Sequence, residues 1–346
     1  MAYISFQPSD HFSAKLYTGN QPSDVAVTGV GFSPNMVWVK NMDRAKDPLV
    51  FDTVRGTGKS VYPSTEDSEV TDAAGIKSFD ADGFTVGDWS QPNTAGDPHV
   101  SWNWKMGTTS GITQGGASIT PSAYSFNATA KQSIIKFTGT GSVATVPHGL
   151  GVKPDCIFIK NLDANEYWSV YHKSIGATAY ACYLNATNAK ATTSVAWNDT
   201  EPTADVFTVG TEAKVNGSGN NMIAYCFASV NGYSKFGEYT GNGQADMGTF
   251  VYLGFKPSFF LTRAPDSVSG WYLWSDKMEA ENMMSATTEV NSSAANETSR
   301  EMDFYSNGVK MKENRGSHNG SGTRYIYFAF GTEPLVSSNN IPTTAR

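Results

Sequence analysis

Val100-Ser-Trp-Asn-Trp-Lys105 alternates large apolar residues with small or polar ones. Residues two apart share one face of a β-strand, so Val100, Trp102 and Trp104 read as a strand with one buried face. The pattern returns at Ile223-Ala-Tyr-Cys-Phe227 and again at Ile326-Tyr-Phe-Ala-Phe330. Upstream of each lies a Gly-to-Pro string that runs into an apolar strand. These are Gly31-Phe-Ser-Pro-Asn-Met-Val-Trp-Val-Lys40, Gly151-Val-Lys-Pro-Asp-Cys-Ile-Phe-Ile-Lys160 and Gly254-Phe-Lys-Pro-Ser-Phe-Phe-Leu-Thr-Arg263. Between these landmarks come Asp80-Ala-Asp-Gly-Phe-Thr-Val-Gly87, Asp205-Val-Phe-Thr-Val-Gly210 and Asn307-Gly-Val-Lys-Met311. Self-similarity in constant order marks tandem copies of one unit. Each copy is long enough to form a core of its own, which predicts domains and not solenoid turns.

The copies read as β throughout. Met36–Val39, Cys156–Ile159 and Ser258–Leu261 are apolar on both faces, which predicts central strands covered on both sides. Asp82-Gly83 and Asn307-Gly308 supply the positive φ angles of tight hairpin turns. Sustained helical periodicity is absent; Ser285–Arg300 could hold one short helix or a loop. The sequence therefore predicts an all-β chain of three tandem β-sandwich domains of jelly-roll or lectin-like type. Their spans are 12–106, 133–230 and 231–333. Residues 1–11 read as an N-terminal assembly segment, 107–132 as a Gly/Ser/Thr-rich linker and 334–346 as an extended tail. Trp102, Trp104, Tyr225, Phe227, Phe328 and Phe330 are the expected core at equivalent places.

Composition excludes several functions. The 346 residues are 39% hydrophobic and 12% aromatic, too rich for a disordered chain, with 16% charged residues and a net charge of −7. No basic cluster stands out to neutralise phosphates, so nucleic acid is not an expected partner. No stretch approaches the apolar length of a membrane span, and Met-Ala-Tyr-Ile-Ser-Phe lacks the basic start of a signal peptide. Cys156, Cys182 and Cys226 all fall in the middle copy with no counterparts, which predicts buried free thiols and not a shared disulfide.

The candidate motifs for chemistry each fail on spacing. Arg55-Gly-Thr-Gly-Lys-Ser60 resembles part of a phosphate loop, but Thr53 stands where the first glycine belongs and Pro63 breaks the following helix. His11, His99, His148, His172 and His318 recur in no other copy and show no metal spacing. The acids Glu66, Asp67, Glu69 and Asp72, and then Asp80, Asp82 and Asp88, suggest a calcium loop, yet solvated turn acids explain them as well. Trp89, Trp168, Trp197, Trp271 and Trp274 lie near strand ends, where exposed rings can stack on sugars and buried ones pack. No catalytic, cofactor-binding or metal-ligating residue is assigned, and the chain is not expected to be an enzyme.

Several long strings resemble a known family. Lys15-Leu-Tyr-Thr-Gly-Asn20, Phe51-Asp-Thr-Val-Arg-Gly56, Ser78-Phe-Asp-Ala-Asp-Gly-Phe-Thr-Val-Gly87, Ser101-Trp-Asn-Trp-Lys105, Trp168-Ser-Val-Tyr-His-Lys173 and Trp197-Asn-Asp-Thr-Glu-Pro202 are similar to an uncharacterised domain of marine and environmental bacteriophage virion proteins. The C-terminal stretch 334–346 shares the resemblance. The resemblance implies a structural protein of the virion, assembled in the bacterial host cytoplasm, in the tail or tail fibre and involved in host-surface attachment. Head decoration, a head fibre or a virion-borne glycan depolymerase are its alternatives. Implied partners are other virion proteins, further copies of the chain (a trimer if it forms a fibre) and a host-surface glycan.

Overall fold

A computed structural model describes residues 6–177 and 180–333, the side chains of 180 and 181 apart. The protein is nearly all β, in antiparallel sheets that repeat one strand order three times. In the first unit the large sheet runs Phe12–Thr18, Pro98–Trp104, Met36–Asn41, Leu49–Asp52, Lys59–Val61, Val70–Thr71. The second unit matches it with Gln132–Thr138, Asn221–Phe227, Cys156–Asn161, Ser169–His172, Tyr180–Tyr183, Ala191–Thr192. The third has Ser234–Thr240, Arg324–Phe330, Phe259–Arg263, Tyr272–Trp274, Thr288–Glu289. In each unit the last strand therefore lies between the first strand and the Pro-led one.

A small sheet faces each large one. Val25–Val27 pairs with Gly83–Val86, Ala144–Pro147 with Val206–Val209, and Phe250–Tyr252 with Gly308–Met311. Both predicted hairpins form, but their loop residues are Ala81-Asp82 and Ser306-Asn307. Gly83 and Gly308 open the returning strands, Gly308 without a positive φ, and are needed for close approach. A Cβ on Gly83 would stand 1.9 Å from the Val27 carbonyl oxygen, and one on Gly308 would stand 2.2 Å from that of Val251.

Both faces of the large sheets are buried, for different reasons. One face meets the unit's own small sheet. In unit one Val37, Val39 and Phe51 pack with Val27, Phe84 and Val86. The other face meets the other two units. Trp38, Trp102 and Trp104 join Phe158, Tyr225 and Phe227, and Phe259, Phe328 and Phe330, in a single cluster. The Trp104 ring lies 5.0 Å from Phe12, 6.3 Å from Phe227, 5.8 Å from Phe259 and 5.5 Å from Phe330, centroid to centroid. This corrects two expectations. The Val100–Lys105 strand has two buried faces, since Ser101 and Asn103 are also fully buried. The units do not keep separate cores, because their largest cluster is common to all three.

Three equivalent backbone bonds close the units into a ring. Glu69 N–H donates to Leu162 C=O at 2.8 Å, Lys190 N–H to Pro265 C=O at 2.7 Å, and Asn296 N–H to Met42 C=O at 2.8 Å. Unit one thus bonds to two, two to three, and three back to one. A buried cation at the end of each Pro-led strand reinforces each joint. Lys160 Nζ donates to Glu66 C=O at 2.8 Å, and Lys40 Nζ reaches Ser293 C=O at 3.4 Å. The Arg263 guanidinium holds Tyr183 C=O at 2.8 Å, Ala186 C=O at 2.9 Å and Asn188 C=O. Burial lowers the pKa of Lys40 and of Lys160 to about 8, because taking an ammonium out of water disfavours its charged form.

Arg263→Ala would strip the guanidinium from three loop carbonyls and open a void beside Trp271, over which it lies at 5.2 Å. The expected loss is about 2–4 kcal/mol in urea denaturation, with Arg263→Lys intermediate. An unchanged midpoint for Arg263→Ala would show that the joint carries no load.

The stretch 107–132 is not a free linker. Ala123–Asn127 forms a strand against Gln132–Thr138. Ile112 and Ile119 are buried in the core of unit two. The Ser285–Arg300 region holds turns and the two-residue strand Thr288–Glu289, with no helix. Instead, single helical turns occur at Ser90–Asn93 and Ala213–Asn216. Of the expected assembly segment, Phe6 stacks on His11 at 4.6 Å and meets Tyr233 at 5.2 Å. Residues 1–5 and the tail 334–346 lie outside the described residues.

Candidate binding site

The fold uses most of the sequence's candidate groups for its own construction. Arg55 of the glycine-rich string is buried, donating to Asp52 at 2.6 Å and to Val50 C=O at 2.8 Å. Asp52 also accepts from the Tyr225 hydroxyl of unit two at 2.6 Å. Lys59 pairs with Glu69 at 2.7 Å, and Ser60 lies in a strand, so no phosphate loop forms. Asp82 accepts from Gly31 N–H at 2.6 Å and Gly29 N–H at 2.9 Å, and these bonds hold its carboxyl below the usual range. Among the described residues no group of three His, Cys, Asp or Glu side chains could hold a metal. Trp168, Trp197, Trp271 and Trp274 are all buried, and Trp89 is half-buried. The three cysteines are buried and free.

Two histidines act as neutral ties, and a third, His318, is buried. His172 Nδ1 accepts from Ser174 N–H at 3.1 Å while Nε2 donates to Tyr327 C=O of unit three at 3.2 Å. His148 repeats the arrangement, accepting from Leu150 N–H at 3.2 Å and donating to Thr203 C=O at 3.3 Å. Burial pushes both pKa values, and that of His318, down to about 4. These rings are fixed as neutral tautomers by two backbone bonds each for His148 and His172.

Two clefts of similar size stay accessible among the described residues: one of about 490 Å³ beside Asn35, Thr53 and Tyr124, and one of about 470 Å³ between units two and three that brings charged and aromatic groups together. In the second, Lys173, Ser229 and Asn231 line one side, and Lys235, Tyr252 and Gly254 the other. Asp155 orders the first side, pairing with Lys173 at 3.2 Å and accepting from Ser229 N–H at 2.8 Å and from its hydroxyl. Lys235 Nζ donates to Tyr252 C=O at 2.7 Å, with its ammonium 5.1 Å from the Tyr252 ring centre. Burial, and then the charge of Lys173, lower its pKa. Tyr252 is 60% exposed, and Phe250 and Met247 beside it are exposed too.

The other copies serve as internal controls for what the fold requires here. Val27, Val146 and Val251 occupy one register position, opposite Phe84, Phe207 and Val309. The flanking residues are Ala26 and Thr28 in unit one, Thr145 and Pro147 in unit two, and Phe250 and Tyr252 in unit three. The sheet folds without aromatics at these places, so the exposed rings are particular to unit three. Sequence reading missed Lys173, Lys235 and Tyr252. Aligning the three copies by strand register would have found the rings. The cleft offers ammonium groups, hydroxyls and a ring face, the chemistry of holding a ligand by charge, hydrogen bonds and stacking.

No curated protein matches the chain. A single family model, described as "Domain of unknown function (DUF7483)", matches residues 7–334, running through all three units without a break. The chain belongs to this DUF7483 family.

Proposed function

We propose that the protein is a structural component of a bacteriophage particle, in the tail or tail fibre. In this reading it works by binding other virion proteins and the host surface, and not by catalysis. The similarity of its long sequence strings to phage virion proteins supports the particle assignment. The observation that carries the binding role is the contrast between interior and surface. The histidines His148 and His172 and the Asp52–Arg55 pair are locked inside as structural ties, and His318 is buried beside them in the interior. The accessible cleft between units two and three presents lysines and an aromatic ring. A ring of three units in one chain also supplies threefold pseudo-symmetry from a single copy, which suits a threefold position in a fibre or tail.

The test is to locate the chain in a reconstruction of the particle. Density for the three-unit ring on the tail supports the reading, and particles complete without the protein would overturn it. Deleting residues 1–9 should leave the units folded, since the first strand begins at Phe12, while abolishing incorporation into particles. Normal incorporation would place the anchor elsewhere. Purified protein should leave host polysaccharide at full length; shortening would refute the non-enzymatic role.

A further inference from the structure

The 107–132 stretch does something in unit two that nothing among the described residues does in unit three. The first strands alternate their backbone groups between two neighbours. In Ser234–Thr240, the bonds from Gly331 N–H to Tyr233 C=O and from Gly241 N–H to Thr323 C=O fix the parity. Residues 235, 237 and 239 bond to the last strand, and residues 234, 236, 238 and 240 turn their groups outward. The same parity in unit two points residues 134 and 136 outward, and there Ala123–Asn127 pairs with them. Just upstream, Ser118 and Ile119 N–H both donate to Thr145 C=O, on the outer edge of the small sheet. One segment thus spans both edges and closes the open side of the sandwich. Ile112 and Ile119 lie in that core, and Tyr124 and Phe126 pack against it.

In unit three both edges stand open among the described residues. The strand Ser234–Thr240 ends its sheet, and Phe250–Tyr252 ends the small one. Ser234 N–H and Phe236 N–H are already taken by Val230 C=O and the Ser229 hydroxyl. The Phe236 carbonyl, both backbone groups of Glu238 and both of Phe250 have no partner among the described residues. The two edges run side by side, tied by Thr249 Oγ1 to Thr240 C=O at 2.8 Å and by Lys235 to Tyr252 C=O. The exposed side chains of Phe250, Tyr252 and Met247 rim the same opening. An exposed edge flanked by apolar side chains is a template for strand addition.

We infer that this flank of unit three is a docking site for an extended segment of a neighbouring protein, added antiparallel to Ser234–Thr240. The segment presents apolar or aromatic side chains two residues apart, as Tyr124 and Phe126 do in unit two. Naming that neighbour a virion protein rests on the functional reading above; the site itself rests only on the sheet edges, so the two fail separately.

The test uses a labelled synthetic peptide with the sequence of residues 118–128, titrated against the intact chain by fluorescence anisotropy. The expected result is saturable one-to-one binding. Glu238→Pro removes an outward N–H, a change edge strands tolerate, together with the carboxylate that pairs with Arg324 at 3.2 Å, and should weaken binding at least about tenfold. Glu238→Gln, which keeps the backbone donor, should bind like the parent. Leu16→Pro, the same change on the unit-one edge, should also leave binding unchanged. Should Glu238→Pro fail to fold, hydrogen exchange on the parent chain decides: the Glu238 and Phe250 amides must slow when peptide is added. The inference is overturned by absence of saturable binding, by parental affinity in a folded Glu238→Pro variant, by loss in Leu16→Pro alone, or by unprotected Glu238 and Phe250 amides. Self-association of the chain that Glu238→Pro abolishes would also overturn it, by making a second copy the occupant.

Discussion

Trp104→Ala should destabilise the entire molecule by about 3–5 kcal/mol, the usual cost of removing a fully packed large aromatic side chain. The effect should not stay in unit one. Trp104 touches Phe227 of unit two and Phe259 and Phe330 of unit three. Truncation therefore leaves a cavity on the pseudo-threefold axis, where all three large sheets meet. Unfolding followed by hydrogen exchange should show protected amides in Ile134, Ile157, Leu261 and Ile326 losing protection together with those of unit one. A variant whose second and third units keep parental protection would mean that the units are energetically separate. Wild-type melting behaviour would reject Trp104 as a core residue altogether.

Acid should unfold the protein steeply between about pH 6.5 and pH 4. Above pH 6.5, His148, His172 and His318 are neutral both folded and unfolded, so their contribution is complete. As the pH falls, the unfolded chain takes up protons near the ordinary histidine value of about 6.5, while the folded state resists until about 4. Protons bound only by the unfolded state shift the balance toward it. Each ring can withdraw roughly 3 kcal/mol by pH 4. His172 shows the cause most clearly: a proton on Nδ1 would replace its bond from Ser174 N–H with a clash of two donors. His172→Gln should flatten the slope of stability against pH in this window, whatever its effect at pH 8. A slope equal to that of the parent would show that His172 is not held neutral.

The strands and their order were legible because each copy repeats a two-residue alternation bounded by Gly, Asn and Pro. A local pattern states that a face is buried and is silent about what buries it. Trp38, Phe158 and Leu261 read as cores of separate sandwiches, yet they belong to one cluster. A clue was present all the same. Every Pro-led strand is apolar on both faces, and a two-sheet sandwich covers only one. The recurring cations Lys40, Lys160 and Arg263 were a second clue, since such groups are rarely buried without partners. Their partners are carbonyls of a neighbouring unit's loop, which no sequence spacing reveals. The buried Asn93, Asn216 and Asn319 were equally readable. Each opens an Asn-x-x-Gly string before the last strand and accepts a backbone N–H, from Asn20 at 2.6 Å, Thr140 at 2.7 Å and Asn242 at 3.1 Å. The stretch 107–132 misled because its Gly, Ser and Thr content suits a linker, whereas four apolar residues within it decide its place.

The central claim is that three units make one cooperative body, closed by shared aromatic residues and by joints that run from the third unit back to the first. The most direct test is to express residues 107–231, the second unit with its complete 107–132 segment, as a separate chain. Alone, it would expose Phe158, Trp168, Tyr225 and Phe227 to water and lose the joints through Lys160 and to Arg263. The account predicts no cooperative unfolding transition and no dispersed amide spectrum for this fragment, against a single sharp transition for the intact chain. A fragment that folds by itself, with a sharp transition of its own, would contradict it.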